Sequence, residues 1–252
     1  MGEVMDVQVG TADVPAISVE WYRDIVEFAD SSPPPVQWFA GHFTEAAILL
    51  LGVLFLLAAA PRLRRGGLRE RSLALVTPGA VVLSYAVSEG LKTIFDEDRP
   101  CRHVVRIVAG QCPPAGDWSF PSNHSTIAGA LAVATVLLSR RLGLIAAPLA
   151  LLAAFSRVFI GVHYPHDVAA GLLLGALVTL AVTLLAARPV ADLLARRAAT
   201  PVRNPPPVAA TSGISDRGHP DLPRSVSAPP AGQRARSRAA QVPRTRNGPN
   251  GR

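Results

Sequence analysis

Residues 167–187, DVAAGLLLGALVTLAVTLLAA, decide the fold class of this chain. After Asp167 the stretch has no charged side chain, and its length is about that of a helix crossing ~30 Å of hydrocarbon. The whole sequence shares this character, with 49% hydrophobic residues, 17% charged residues and a mean hydropathy of +0.29. Soluble domains carry about 25% charged residues. The sequence therefore predicts a polytopic membrane protein.

Four further apolar runs alternate with short charged joints. We therefore expect an all-α fold, a polytopic membrane helical bundle of about five transmembrane helices. The third span is the weakest of the five, because it is short and interrupted by Gly129. The predicted spans are residues 43–60, 72–95, 123–138, 142–161 and 167–187.

Residues 1–42 are predicted to form an N-terminal amphipathic segment ahead of the membrane-embedded domain at 43–197. Within it, a short helix would place Trp21, Ile25 and Phe28 on one face, as an interfacial helix does. The prolines of SSPPP at 31–35 should end that helix. Seven acidic residues among the first forty do not fit the n-region of a signal peptide, so we expect none to be cleaved.

The segment 198–252 is rich in Pro, Arg and Ser, and it contains nine Arg and two Asp. It has too few large apolar residues to form a core, so we expect a disordered basic tail. A basic segment could bind nucleic acid, but a cytoplasmic tail beside anionic lipid is the interpretation we favour. No nucleic-acid partner is therefore predicted.

The arginines predict the orientation of the bundle by the positive-inside rule. They cluster in the joints between spans one and two and between spans three and four, and again after span five. The cytoplasmic set is Arg62, Arg64, Arg65, Arg69, Arg71, Arg140, Arg141, Arg188, Arg196, Arg197 and Arg203. The acidic N-terminus and the loops at 96–122 and 162–166 should then face outward.

Nearly all reactive side chains of the membrane portion lie in KTIFDEDRP at 92–100, PSNH at 121–124 and SRVFIGVHYPHD at 156–167. The predicted topology brings Lys92, Arg99 and Arg157 to one membrane depth. Their many N–H donors suit the oxygens of a phosphoryl group. PSNH precedes a helix, whose free backbone N–H groups also favour an anion. The pattern predicts a phosphate site at the outer end of the bundle.

The remaining residues of these segments indicate catalysis. A neutral His163 can attack phosphorus if a carboxylate holds its second ring nitrogen, and Asp167 lies four residues later on the same helical face. His124 can supply a proton to the leaving oxygen. These residues predict covalent phosphoryl transfer without a metal or other cofactor.

The three segments resemble the signature of the type 2 phosphatidic acid phosphatase superfamily. The matching residues are Lys92, Arg99-Pro100, Pro121-Ser122, His124, Ser156-Arg157, His163 and Asp167. The resemblance covers roughly residues 43–187. It implies that His163 is the nucleophile, Asp167 its orienting partner and His124 the general acid. It also implies that the phosphate ligands are Lys92, Arg99, Ser122, Asn123 and Arg157.

One position departs from the family pattern, which usually has Gly where this chain has Asn123. If that position needs a positive φ, Asn is the best substitute for Gly. We interpret the change as tolerated, although it can narrow the space beside the phosphate.

Other polar residues have simpler interpretations. Any single cation at a helix end can be an interfacial anchor, but two histidines and an aspartate at matching spacing are not explained in that way. His103 and His166 are predicted bystanders, and His42, just before span one, an interfacial residue instead of a ligand. The acidic residues 96–98 are predicted to form a solvated turn instead of a metal site. Cys101 and Cys112 could pair across their loop in an oxidising compartment, or remain free thiols.

The preferred function is a membrane phosphatase acting on a lipid-linked phosphate or diphosphate, with undecaprenyl diphosphate first because the resemblance implies release of that carrier on the outer face. The alternative enzyme is a phosphatidate or phosphatidylglycerophosphate phosphatase. A lipid-phosphate binding or transport protein is the rival from another class, and a haloperoxidase is disfavoured by the five spans. The sequence predicts no oligomeric state.

Overall fold

The computed structural model describes residues 14–103 and 107–199, and within these ranges the chain is helical and has no strand. The all-α fold class is confirmed. Most of the predicted tail, residues 200–252, lies outside the described residues. The helices are α1 (Ala16–Ser31), α2 (Pro34–Arg65), α3 (Leu68–Phe95), α4 (Asn123–Leu138), α5 (Arg140–Phe159) and α6 (Pro165–Ala199), with a 3-10 turn at Pro100–Arg102.

Four of the five predicted spans, in α2, α3, α5 and α6, are long and apolar enough to cross a membrane. The fifth, α4, has 16 residues, a length of about 24 Å at 1.5 Å per residue. It lies at the centre of the bundle and packs against α2, α3, α5 and α6. The count of spans long enough by this measure is thus four, with α4 as a shorter apolar helix between them.

Small residues explain how the neighbours approach α4 so closely. A side chain at Gly129 would collide with the backbone of Leu172, and one at Gly175 with the carbonyl of Thr126. Membrane helices commonly pack through such small residues, since lipid offers no hydrophobic drive for their association. Gly129, which weakened the sequence prediction of this span, is therefore a packing residue between α4 and α6.

The outward faces of the long helices are apolar. Leu49 on α2, Leu144 on α5 and Leu185 on α6 are all more than two-thirds exposed. Such surfaces suit contact with lipid and would be a liability in water. The chain is a multi-pass membrane protein.

The N-terminal helix α1 docks on the bundle through residues other than the predicted apolar face, of which Trp21 and Phe28 stay exposed. Tyr22 and Val26 are fully buried, whereas Trp21 and Phe28 are 55% and 66% exposed. Tyr22 donates a hydrogen bond to the carbonyl of Gly161 at 2.9 Å, so α1 is docked on the bundle. The predicted face of Trp21 and Phe28 points away from the protein.

The first long helix begins at Pro34, well ahead of the predicted start at residue 43. Proline interrupts a helix interior, but it is well suited to the first turn because its missing N–H would have no partner there. The prolines at 33–35 therefore separate two helices and start the second one.

The long loop between α3 and α4 is folded back over the helix ends. A disulfide joins Cys101 to Cys112, which confirms the paired alternative for these cysteines. Further along the loop, the N–H of Ser119 donates to the carbonyl of Glu97 at 2.7 Å. These ties bring residues 117–119 to the site described next.

Candidate active site

His163 lies in the short connection between α5 and α6 and is only 1% exposed. Its Nδ1 is 3.2 Å from Oδ2 of Asp167, which is fully buried. The same oxygen accepts hydrogen bonds from the Tyr164 N–H at 2.9 Å and the Ser119 hydroxyl at 2.5 Å. The predicted pair is thus formed, and the carboxylate is held by two donors besides His163.

The other ring nitrogen of His163 faces Arg99. Nη1 of Arg99 is 2.8 Å from Nε2 and, since a guanidinium can only donate, Nε2 must present its lone pair. The ring proton then lies on Nδ1 and is donated to Asp167. Burial, followed by the positive charges of Arg99 and other nearby cations, lowers the pKa of His163 well below its ordinary value. The imidazole is therefore neutral, and its Nε2 lone pair, which a nucleophile requires, accepts from Arg99 until the phosphoryl group takes that donor.

Lys92 and Arg99 are both nearly buried and meet at one carboxylate, that of Asp117 in the loop. Its Oδ1 accepts from Lys92 Nζ at 2.7 Å and from Arg99 Nη2 at 2.9 Å. Burial raises the pKa of Asp117, but hydrogen bonds from the two cations and their charges outweigh this and hold it below its usual value. The carboxylate of Asp117 thus accepts hydrogen bonds from two predicted phosphate ligands, Lys92 and Arg99, in the place where a phosphate would do so.

Arg157, the third predicted cation, is 7% exposed at the end of α5. Its Nη1 donates to the Thr44 hydroxyl at 3.2 Å, and the same nitrogen is 3.8 Å from Glu45. Its Nε is buried without a hydrogen-bond partner among the described residues. An anion entering the site would find a donor ready there.

His124 lies in the first turn of α4, and its Nε2 is 2.8 Å from a carboxylate oxygen of Glu45. Glu45 is on α2, outside the segments singled out in the sequence. The carboxylate orients the imidazole, as a positioned proton donor requires.

Ser122 and Asn123 begin α4. The backbone N–H of Ser122 donates to the carbonyl of Asp167 at 3.1 Å, which ties the start of α4 to the start of α6. No acidic side chain occupies the first turn of α4, so its positive end remains available to an anion. The Ser122 hydroxyl accepts from Ser125 at 3.2 Å.

The side chain of Asn123 is directed to α3, where it accepts from Ser88 at 2.8 Å and donates to Glu89. Among the described residues, Asp96 is the only non-glycine residue with a positive φ. The backbone condition considered for Asn123 therefore does not arise, and Asn serves here by its side-chain contacts.

His166, predicted to be a bystander, is in contact with the catalytic pair. Its Nε2 is 3.2 Å from Asp167 Oδ1 and 3.1 Å from Glu97 Oε2. The Glu97 side chain is only 12% exposed, so the acidic turn is not wholly solvated. The prediction rested on the angle between adjacent side chains of a helix. That angle does not keep His166 from the second carboxylate oxygen of Asp167, and it could not reveal Glu97, which comes from another loop.

Glu97, His166 and Asp167 also offer ligand atoms within 4.8 Å of one another, a spacing that a cation can bridge. His166 is hydrogen-bonded to Glu97 and lies at ion-pair distance from Asp167, so the imidazole occupies the space between the two carboxylates. His103 pairs instead with Asp98 at the surface, and His42 with the Trp38 carbonyl.

Comparisons with known proteins identify relatives of this chain. Residues 73–190 match the model of the PAP2 superfamily. The chain is 33% identical over 147 residues to the putative undecaprenyl-diphosphatase YbjG of Escherichia coli, covering 58% of this chain and 73% of that protein. It is 34% identical over 98 residues to undecaprenyl-diphosphatase BcrC of Bacillus subtilis, covering 39% of this chain and only 48% of that protein.

A solved structure has a similar fold. The crystal structure of a transmembrane PAP2 type phosphatidylglycerolphosphate phosphatase from Bacillus subtilis superposes with a TM-score of 0.53 at 21% identity. The match covers 68% of this chain and 87% of that one. At this identity the likeness concerns the fold alone.

Proposed function

Because this chain belongs to the PAP2 superfamily, we propose that it is a lipid phosphate phosphatase that works through a phosphohistidine at His163. One observation carries the proposal. Asp167 holds Nδ1 of His163, and Arg99 lies at Nε2, so the nucleophilic lone pair points at a phosphate ligand. A pure lipid-phosphate binder or transporter gains little from an oriented nucleophile.

In the first step, the phosphoryl group displaces Asp117 from the cations and is bound by Lys92, Arg99 and Arg157. The first turn of α4, with Ser122 and Asn123, adds backbone donors and its positive end. The lone pair of His163 Nε2 forms a bond to phosphorus while the bond from phosphorus to the leaving oxygen breaks. His124 gives its proton to that oxygen.

In the second step, His124, now neutral, takes a proton from water, and the hydroxide oxygen attacks the phosphohistidine. The bond from nitrogen to phosphorus breaks, and the electron pair returns to Nε2. The products are inorganic phosphate and the lipid alcohol, or the lipid monophosphate when the substrate is a diphosphate. Throughout both steps Asp167 stabilises the positive charge that develops on the ring of His163.

The favoured substrate is a polyprenyl diphosphate of the undecaprenyl type. The support is the naming of two relatives as undecaprenyl-diphosphatases, one of them putative. The groups that line the site bind a phosphoryl group, and they do not distinguish one attached lipid from another. A phosphatidate or phosphatidylglycerophosphate phosphatase is therefore the alternative that the assay must separate.

We place the active site on the outer face of the membrane and the residues after α6 on the cytoplasmic side. The arginine-rich joints support this, because they lie together at the other end of the bundle. Arg62 at the end of α2 donates to the carbonyl of Leu138 at the end of α4, at 2.6 Å. Ser72 at the start of α3 donates to the carbonyl of Ala187 on α6. Removal of phosphate from a carrier used in cell-wall synthesis would suit an outward-facing site.

The substrate assay measures phosphate release by purified protein in detergent, with EDTA present. The panel contains undecaprenyl diphosphate, phosphatidate and phosphatidylglycerophosphate, and His163→Ala and His103→Ala serve as matched variants. The proposal expects fastest turnover of undecaprenyl diphosphate, abolished in His163→Ala and kept in His103→Ala. Preference for a phospholipid would replace the substrate, and turnover that survives loss of His163 would reject the mechanism.

The orientation is tested by labelling single cysteines in intact cells with a membrane-impermeant maleimide. Cysteines are introduced at Ala115, in the loop over the site, and at Gly67, in the arginine-rich joint, in a background lacking Cys101 and Cys112. We expect the label at position 115 and not at position 67. The reverse pattern would put the site in the cytoplasm.

A further inference from the structure

Asp167 lies between two histidines, and only one of them belongs to the mechanism described so far. Oδ2 faces His163, whereas Oδ1 faces His166 at 3.2 Å. Oδ1 is fully buried and makes no hydrogen bond among the described residues, so His166, whose Nε2 is hydrogen-bonded to Glu97, approaches it as an ion-pair partner. His166 is therefore the group that compensates the second oxygen of the catalytic carboxylate.

The ring of His166 is held by contacts with two aromatic rings and with α1. It stacks between Phe120, with ring centroids 5.6 Å apart, and Tyr164, at 5.7 Å. Its Nδ1 is 2.8 Å from the hydroxyl of Ser18 on α1, and its backbone N–H is 3.3 Å from the same oxygen. The N-terminal helix, which precedes the matched family region at 73–190, thus reaches the catalytic carboxylate through one residue.

The charges in this cluster are balanced by the imidazole. Glu97 and Asp167 are two largely buried carboxylates that both approach Nε2 of His166. Without a positive group between them they would be like charges in a poorly solvated place, and one of them would take up a proton. A protonated Asp167 would hold the Nδ1 proton of His163 less strongly, and it could not balance the positive charge that develops on the ring as Nε2 attacks phosphorus.

We propose that His166 is a positioning residue for the phosphatase reaction, acting in a chain Glu97–His166–Asp167–His163, with Ser18 of α1 holding the outer ring nitrogen. In this chain Glu97 keeps His166 charged, and His166 keeps Asp167 an anion directed at His163. The inference rests on the proposed function, because it assigns a role within the same reaction.

The test compares steady-state kinetics of His166→Gln, Glu97→Gln and the double variant, with His103→Gln as the matched surface control. His166→Gln should lower kcat at least about tenfold and leave KM within about twofold, because no phosphate ligand is changed. The inhibition constant for vanadate should also stay within about twofold. Glu97→Gln should lower kcat by less than His166→Gln does, because it weakens the hold on the His166 charge but also removes one of the two like charges. His103→Gln should keep kcat within about threefold of the wild type.

The double variant distinguishes charge balance from simple packing. Removing Glu97 together with His166 removes the like charge, so kcat should recover to within about threefold of the wild type. A double variant as slow as His166→Gln would overturn the proposal, as would His166→Gln with wild-type kcat. If His166→Gln cannot be purified, Ser18→Ala takes its place: a kcat lowered at least about fivefold at unchanged KM supports the proposal, and a kcat within about threefold of the wild type overturns it. Failure of the proposed function itself would be seen separately, as absence of phosphate release by the wild type.

Discussion

Asp117→Asn should make the enzyme bind phosphate more tightly. In the structure Oδ1 of Asp117 accepts hydrogen bonds from Lys92 at 2.7 Å and Arg99 at 2.9 Å, the two cations that the family signature assigns to the substrate. An incoming phosphoryl group must displace this carboxylate. Asn keeps the shape and one acceptor but removes the charge, so the competition weakens.

The magnitude follows from the two contacts. A hydrogen bond to a charged group contributes about 1.5–3 kcal/mol in a buried place. The Asp117 side chain is 41% exposed, so solvent screens part of this contribution. We take about 1.4 kcal/mol for the whole exchange, which corresponds to about a tenfold lower inhibition constant for vanadate and a similarly lower KM. Since the chemical step does not use Asp117, kcat should change by no more than about twofold.

The assay is inhibition of phosphate release by vanadate, with Asp98→Asn as control because Asp98 pairs with Arg102 at the surface of the same loop. The pKa of Asp117 is held below its usual value, so the native carboxylate stays charged and competes equally from about pH 5 to 8. A thermal melt adds a second measurement: Asp117→Asn should lower Tm without an anion, because Lys92 and Arg99 lose their partner, and vanadate should restore it. Weaker vanadate binding by Asp117→Asn would refute the reasoning and make Asp117 an organiser of the cations.

Three further predictions concern other residues. Lys92→Arg, at the only lysine of the chain, should lower turnover at least about tenfold, about 1.4 kcal/mol of barrier, because a planar guanidinium does not replace a compact ammonium; full activity in that variant would show that any cation suffices there. Glu45→Gln should lower kcat about tenfold for a lipid alcohol leaving group and far less for p-nitrophenyl phosphate, since Glu45 holds the proton donor His124; equal losses for both substrates would argue against that role. Deleting residues 203–252 should leave phosphate release in detergent unchanged, and a folded but inactive truncation would reveal a role for the tail.

The motif residues were predictable because the chemistry of each side chain, together with its position in the sequence, indicates its role. Sequence spacing placed His163 and Asp167 on one helical turn, and the topology of the apolar runs brought Lys92 and Arg99 to the same end. The structure has these contacts. Such residues can be recognised without knowing how the loops fold.

The partners of the motif residues were not predictable in the same way. Asp117 lies in a long loop without periodicity, and Glu45 lies on an apolar helix 79 residues before His124. Nothing local in the sequence relates either one to the site, because their contacts depend on the path of the loop and on how α2 packs. His166 was misjudged for the same reason, since its partner Glu97 comes from another loop.

The fold shows the same division. Hydropathy identified the long helices, but it could not show that α4 is enclosed by its neighbours. An apolar helix has the same hydropathy pattern whether it faces lipid or protein. Hydropathy also could not show which residues of α1 dock on the bundle. Trp21 and Phe28 are the larger apolar residues, yet Tyr22 and Val26 are buried, since the shape of the bundle surface selects them.

The covalent intermediate is the most direct test of the account. Purified enzyme is mixed with a lipid phosphate, quenched in alkali within one turnover, digested and examined by mass spectrometry for a phosphorylated peptide. The account predicts phosphate on His163, none in His163→Ala, and a longer-lived phosphopeptide in His124→Ala when p-nitrophenyl phosphate is the substrate, because that leaving group needs no acid but the water still needs its base. Phosphate on another residue, or full turnover by His163→Ala, would contradict it.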